Sequence, residues 1–124
     1  MPAVISPQAY QLVDLAGNPR TEFWAVLEFR ESYAGGGIAF DFSPYFRRVT
    51  NLLVSPISGM QFFTANSGLA NSSFPTIQPR AEDYGTPASI RLQVFGLDSS
   101  GRGMLEATAV ALSGMRFQAH ALGY

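Results

Sequence analysis

The chain has 124 residues, with 8 basic residues against 9 acidic ones, one histidine, no cysteine and 47% hydrophobic residues. That length accommodates one domain, and a net charge of -1 at pH 7 removes the electrostatic basis for sequence-independent nucleic-acid binding. Without cysteine, thiolate catalysis, disulfide stapling and cysteine-ligated metals are excluded. Charged residues make up 14% of the chain where about 25% is usual, and Ala, Gly, Ser and Pro fill the difference.

No apolar run approaches the roughly 18 residues that cross a bilayer, and Met1–Gln8 lacks the basic start and apolar core of a secretion signal. Neither membrane insertion nor classical export is expected. The 8 prolines leave little room for a long helix, because each removes an amide donor and clashes with the preceding turn. Short strands between turns are expected instead.

Tyr10–Leu15 reads as a first strand, closed by the turn Ala16-Gly17-Asn18-Pro19. Phe23–Glu31 alternates strictly, with Phe23, Ala25, Leu27 and Phe29 on one face and Trp24, Val26, Glu28 and Arg30 on the other. Ala34-Gly35-Gly36-Gly37 breaks it, and Ile38, Phe40 and Phe42 resume the alternation up to Pro44. Within 46–55 a helical turn and a strand both fit, and the neighbouring strands favour a strand over Thr50–Ser55. Met60–Ala65 reads as another strand. Residues 66–87 read as a long loop, or as very short strands joined by turns, and a connection of that length commonly serves binding or an interface.

Ala88–Asp98 places Ile90, Leu92 and Val94 on one parity, and the Asp98–Gly103 turn leads to a strand over Met104–Leu112. Ser113-Gly114 joins it to Met115–Leu122, where Met115, Phe117, Ala119 and Ala121 oppose Arg116, Gln118, His120 and Leu122. These last segments are expected to form a three-stranded meander. The expected fold is all-β, an antiparallel β-sandwich or jelly roll of about seven to nine short strands.

Candidate chemistry is sparse. His120 is the sole imidazole, on an expected exposed face, with no nucleophile or orienting acid identifiable beside it. Scattered carboxylates give no spaced calcium loop, so no metal and no cofactor are expected. Glu28 and Glu31 fall on opposite strand faces, and the adjacent pair Glu82-Asp83 suits solvation or an interface ion pair better than acid–base work. Gly35-Gly36-Gly37 lacks the Lys and Ser/Thr of a phosphate loop. Arg47-Arg48 follows Tyr45-Phe46, a juxtaposition that can stack on a base, but the neutral chain makes direct nucleic-acid binding an unfavoured reading. Trp24, Tyr45, Arg47, Arg48, Phe74, Tyr84 and Tyr124 are the candidates for an interface or ligand contact, since aromatics and arginine dominate interface cores.

The run Ala88-Ser89-Ile90-Arg91-Leu92-Gln93-Val94-Phe95, the Ser/Gly turn after it, the ending Phe117-Gln118-Ala119-His120-Ala121-Leu122-Gly123-Tyr124, Asp41-Phe42-Ser43 and the proline-bearing 74–87 stretch belong together. Over residues 38–124 the chain resembles small β-rich structural proteins of tailed bacteriophage virions, including capsid decoration proteins. The resemblance implies location in the virion, binding of a major capsid or other virion protein on a repeated surface, and a homo-oligomer such as a trimer. It carries over no catalytic residue. The alternatives are a carbohydrate-binding module with Trp24 or loop tyrosines as its platform, and a small hydrolase using His120.

Overall fold

A computed structural model describes residues 3–33, 35–58, 76–97, 104–107, 110–111 and 114–124. The strands are β1 (Ala3–Val13), β2 (Pro19–Glu28), β3 (Ser32–Tyr33), β4 (Ile38–Phe40), β5 (Val49–Ser58), β6 (Thr76–Pro79), β7 (Ile90–Leu97), β8 (Met104–Glu106), β9 (Val110–Ala111) and β10 (Arg116–Gly123). Among the described residues there is no α-helix, only 3-10 turns at Ala81–Asp83 and Pro87–Ser89.

Two antiparallel sheets form a β-sandwich. One has the order β1-β2-β10-β5; the other has β4-β7-β6, with β8 also on β7, and β3 pairs with β9 beside them. The alternation in β2 holds as the sequence predicts: Phe23, Ala25 and Leu27 point into the core, and Trp24, Val26 and Glu28 point out. From β10, Phe117, Ala119 and Ala121 join them, and Ile38, Phe40, Ile90, Leu92 and Val94 answer from the opposite sheet. Phe29 makes edge-to-face contacts with Phe40 and Phe117, at ring-centroid distances of 5.5 and 5.2 Å, so aromatic rings join the two layers.

The expected C-terminal meander is not what forms. β7 and β8 pair as neighbours, but β10 leaves them and lies between β2 and β5 in the other sheet. A turn signal shows only that a strand ends. β10 has a fully apolar inner face and fills the central slot of a sheet whose flanking strands also need hydrogen-bond partners on that side. The strand expected over Met104–Leu112 is divided between β8 and β9, with Ala107 buried between them and its N–H donating to the Val94 carbonyl at 2.8 Å. β1 starts earlier than expected and ends at Val13. Within 66–87, Thr76–Pro79 is a strand and the part after it carries the two 3-10 turns, in line with short strands joined by turns. The strand read at Met60–Ala65, the first part of the long loop and the turn at Asp98–Gly103 lie outside the described residues.

Gly37 shows why the glycine run suits its place. Its φ is +103°, and a Cβ there would sit 2.8 Å from the Cβ of Arg91 on β7. The turn therefore presses its backbone directly onto the sheet.

Candidate functional site

The site grows from the turn between β1 and β2. Asp14 Oδ1 accepts hydrogen bonds from the amides of Ala16 and Asn18, each at 2.9 Å, which fixes the turn and leaves Oδ2 to meet Arg20 Nη2 at 3.1 Å. The Asn18 and Ala16 amides, with the Arg20 charge, hold the Asp14 carboxyl below its ordinary range. The Arg20 guanidinium in turn lies 5.2 Å from the centroid of the Tyr124 ring.

Tyr124 is clamped by backbone. Its main-chain oxygen accepts the amides of Arg47 at 2.7 Å and Arg48 at 3.0 Å, and its own amide donates to the Arg48 carbonyl at 3.0 Å. Gly123 makes this approach feasible: a Cβ there would lie 2.8 Å from Phe46 Cδ1 and closer still to the Arg48 carbonyl. The clamp sets Arg47 across from the start of β2. Between them lies an open groove of about 580 Å³ lined by Gln11, Asn18, Pro19, Arg20, Thr21, Arg47 and Tyr124. Gln11 Nε2 donates to the buried Thr21 hydroxyl at 3.3 Å across the β1–β2 register, so both are held in the wall. Arg20 also lines a second hollow of about 280 Å³ with Leu12, Val13, Asp14, Thr50, Leu122 and Gly123.

Arg20 is paired with Asp14, Arg30 and Arg116 share Glu28, Arg80 meets Glu82, and Arg91 meets Asp83. Among the described residues, Arg47 and Arg48 alone have no carboxylate partner. The Arg48 head group packs over Gly85, and Arg47 faces the groove.

A second surface is the outer face of the β1-β2-β10-β5 sheet. The register sets Gln8, Trp24, His120 and Leu53 in one row across the four strands, and Tyr10, Glu22, Leu122 and Asn51 in the next. His120 stacks on Trp24 with centroids 3.9 Å apart and planes 19° apart, and its Nε2 lies 3.2 Å from Glu22 Oε2. Trp24 remains 37% exposed and Leu53 57% exposed, and Tyr10 and Leu12 are exposed on the same face. Among the described residues His120 has no hydrogen bond to a serine or threonine hydroxyl.

The candidates from the sequence thus separate. Arg47, Arg48 and Tyr124 meet at the groove pole, and Trp24 stands on the outer face. Tyr45 is half-buried, its ring 4.4 Å from that of Phe23. Tyr84 is half-buried against the core, where burial raises its hydroxyl pKa, and its carbonyl accepts the Val49 amide at 3.0 Å. Both are packing residues in this chain, and Phe74 lies outside the described residues. Glu82 and Asp83 take part in ion pairs, with Arg80 and Arg91. Gln11, Asn18, Arg20, Thr21 and Glu22 were not legible as site residues, because each acquires its place through cross-strand register or the 14–18 turn.

No protein-family model, curated protein or solved structure matches this chain. No helix among the described residues is long and apolar enough to cross a membrane. Nor do three or more His, Asp or Glu side chains gather there as a metal-binding group. What fold and surfaces define is an all-β sandwich domain with exposed aromatic and aliphatic side chains among polar ones on one outer sheet face, and a groove lined by Arg20, Arg47 and Tyr124 at one end.

Proposed function

We propose that this protein is a non-enzymatic structural protein that works through protein–protein contacts as an oligomer, decorating or stabilising a capsid or a head or tail surface of a virion. The observation that carries the assembly reading is the outer face of the four-stranded sheet, where Tyr10, Leu12, Trp24 and Leu53 are exposed together. Large apolar side chains gathered on one face of a soluble domain mark an interaction surface, and a chain with so little charge has weak self-repulsion to keep copies apart. The virion as the place of assembly rests on the resemblance of residues 38–124 alone.

The test is the solution mass near neutral pH by light scattering coupled to size exclusion. A discrete oligomer that Leu53→Glu converts to monomer is the expected result. A wild-type chain that stays at 13.4 kDa at every concentration overturns self-association through this face. A second reading, a carbohydrate-binding module, draws on the same Trp24, whose indole stacks one face on the His120 imidazole and stays partly exposed. It requires soluble oligosaccharides to change Trp24 emission, with Trp24→Ala abolishing retention on a glycan support.

A further inference from the structure

The middle of the outer sheet face holds one acid and one imidazole. Glu22 on β2 and His120 on β10 stand in adjacent rows of the register, with Nε2 3.2 Å from Oε2, and their side chains are only 30% and 23% exposed. Glu22 is the one charged group that β2 sets around His120, since Trp24 and Val26 are its other neighbours there. β5 presents Asn51, Leu53 and Ser55, β10 itself presents Gln118 and Leu122, and β1 adds Gln8 and the phenol of Tyr10 beyond β2. Towards the two ends of the face the carboxylates are already matched, Asp14 by Arg20 and Glu28 by Arg30 and Arg116.

Resting on the assembly reading above, we propose that the outer face packs against the same face of a second copy, and that protonation of His120 controls this association by neutralising Glu22. Stacked sheets lie about 10 Å apart and exclude water between them. With a neutral imidazole, each copy carries the Glu22 carboxylate into that dry layer as an uncompensated charge, which is costly. An imidazolium converts it into a charge-assisted hydrogen-bonded pair. It also sets a cation against the indole of Trp24, whose ring centroid lies 3.9 Å from that of His120. The associated chains therefore bind protons more tightly than the separate ones. By linkage, association tightens as pH falls through the imidazole range of about 5–8.

Charge favours a second copy over other occupants. A basic partner finds only Glu22 to pair with, because Asp14 and Glu28 hold arginines of this chain. Such a partner would bind more tightly as His120 loses its proton, the opposite dependence. An acidic partner or a nucleic acid meets Arg20, Arg30 and Arg116 already paired. For two copies, the net charge of -1 with His120 neutral falls to zero on protonation, so repulsion between them falls as well.

The test is sedimentation equilibrium of the full chain between about pH 8 and pH 5.5, which spans the imidazole range, with circular dichroism confirming the folded state at each pH. The wild-type dissociation constant is expected to fall about tenfold across that range. Glu22→Gln should reverse the dependence, because an unpaired imidazolium then enters the interface, and His120→Gln should abolish it. Glu31→Gln removes the same charge at an exposed position outside the Glu22–His120 pair and should leave the dependence intact. Association equally tight at both ends of the range, or tightening as pH rises, overturns the proposal. So does a Glu31→Gln chain that loses the dependence, since net charge alone would then be the cause. An oligomer that ignores pH yet is broken by Leu53→Glu keeps the assembly reading and loses the control by His120, whereas a chain that is monomeric at every pH loses both.

Discussion

The hydroxyl of Tyr33 donates to the carboxylate of Glu106, a residue 73 positions away that also accepts the Gly36 amide at 2.7 Å. One carboxylate thereby ties the short strand β3 and the glycine turn to β8. Tyr33 is 1% exposed, and burial, with the bond to Glu106, pushes its hydroxyl pKa up to about 12 from 10.0.

The neutral phenol is therefore the form that the fold favours. Its contribution is complete below pH 10 and is lost as pH rises towards 12. Tyr33→Phe is expected to cost about 1 kcal/mol at neutral pH through the missing hydrogen bond, and to flatten the alkaline limb of stability. Thermal melts of both proteins from neutral to strongly alkaline pH check this; parallel alkaline limbs would refute it.

Acid acts on the opposite set. Asp83 is buried and accepts the Arg91 side chain at 3.0 and 3.1 Å as well as the Arg91 amide at 3.1 Å, and these bonds hold its carboxyl below the ordinary range. The Arg30 and Arg116 side chains do the same for Glu28, and the Tyr33 hydroxyl does so for Glu106. With folded pKa values depressed, this stability is present above the unfolded values near about pH 4 and is lost as pH falls below them. Asp83→Asn should lower the melting temperature at pH 7 and leave a shallower decline in acid, as measured by melts between neutral pH and pH 2.

Gly123 is required by space. An added methyl meets the Arg48 carbonyl and the Phe46 ring, neither of which can withdraw without opening the Tyr124 clamp. Gly123→Ala is expected to destabilise by about 1–3 kcal/mol and to weaken hydrogen-exchange protection at the Arg47 and Arg48 amides. Unchanged protection there would show that the clamp tolerates the methyl.

The rings of Trp24 and His120 stack on the outer face with centroids 3.9 Å apart, a contact expected to couple them energetically. A double-mutant cycle on Trp24→Ala and His120→Ala should give about 0.5–1 kcal/mol in denaturant melts. Additive effects within error would mean that the two rings merely lie side by side.

The inner face of β2, from Phe23 to Leu27, and that of β10, from Phe117 to Ala121, were legible because period-two alternation follows from the backbone itself. So was the glycine turn at 35–37. The place of β10 between β2 and β5 was not legible, because strand pairing depends on which apolar faces find each other after collapse, and adjacent hairpins are only the local solution. The groove follows the same rule. Arg20, Arg47 and Tyr124 stand far apart along the chain, and only the register of β2 with β10 and the backbone clamp on Tyr124 bring them to one end of the sandwich, where all three line the same groove.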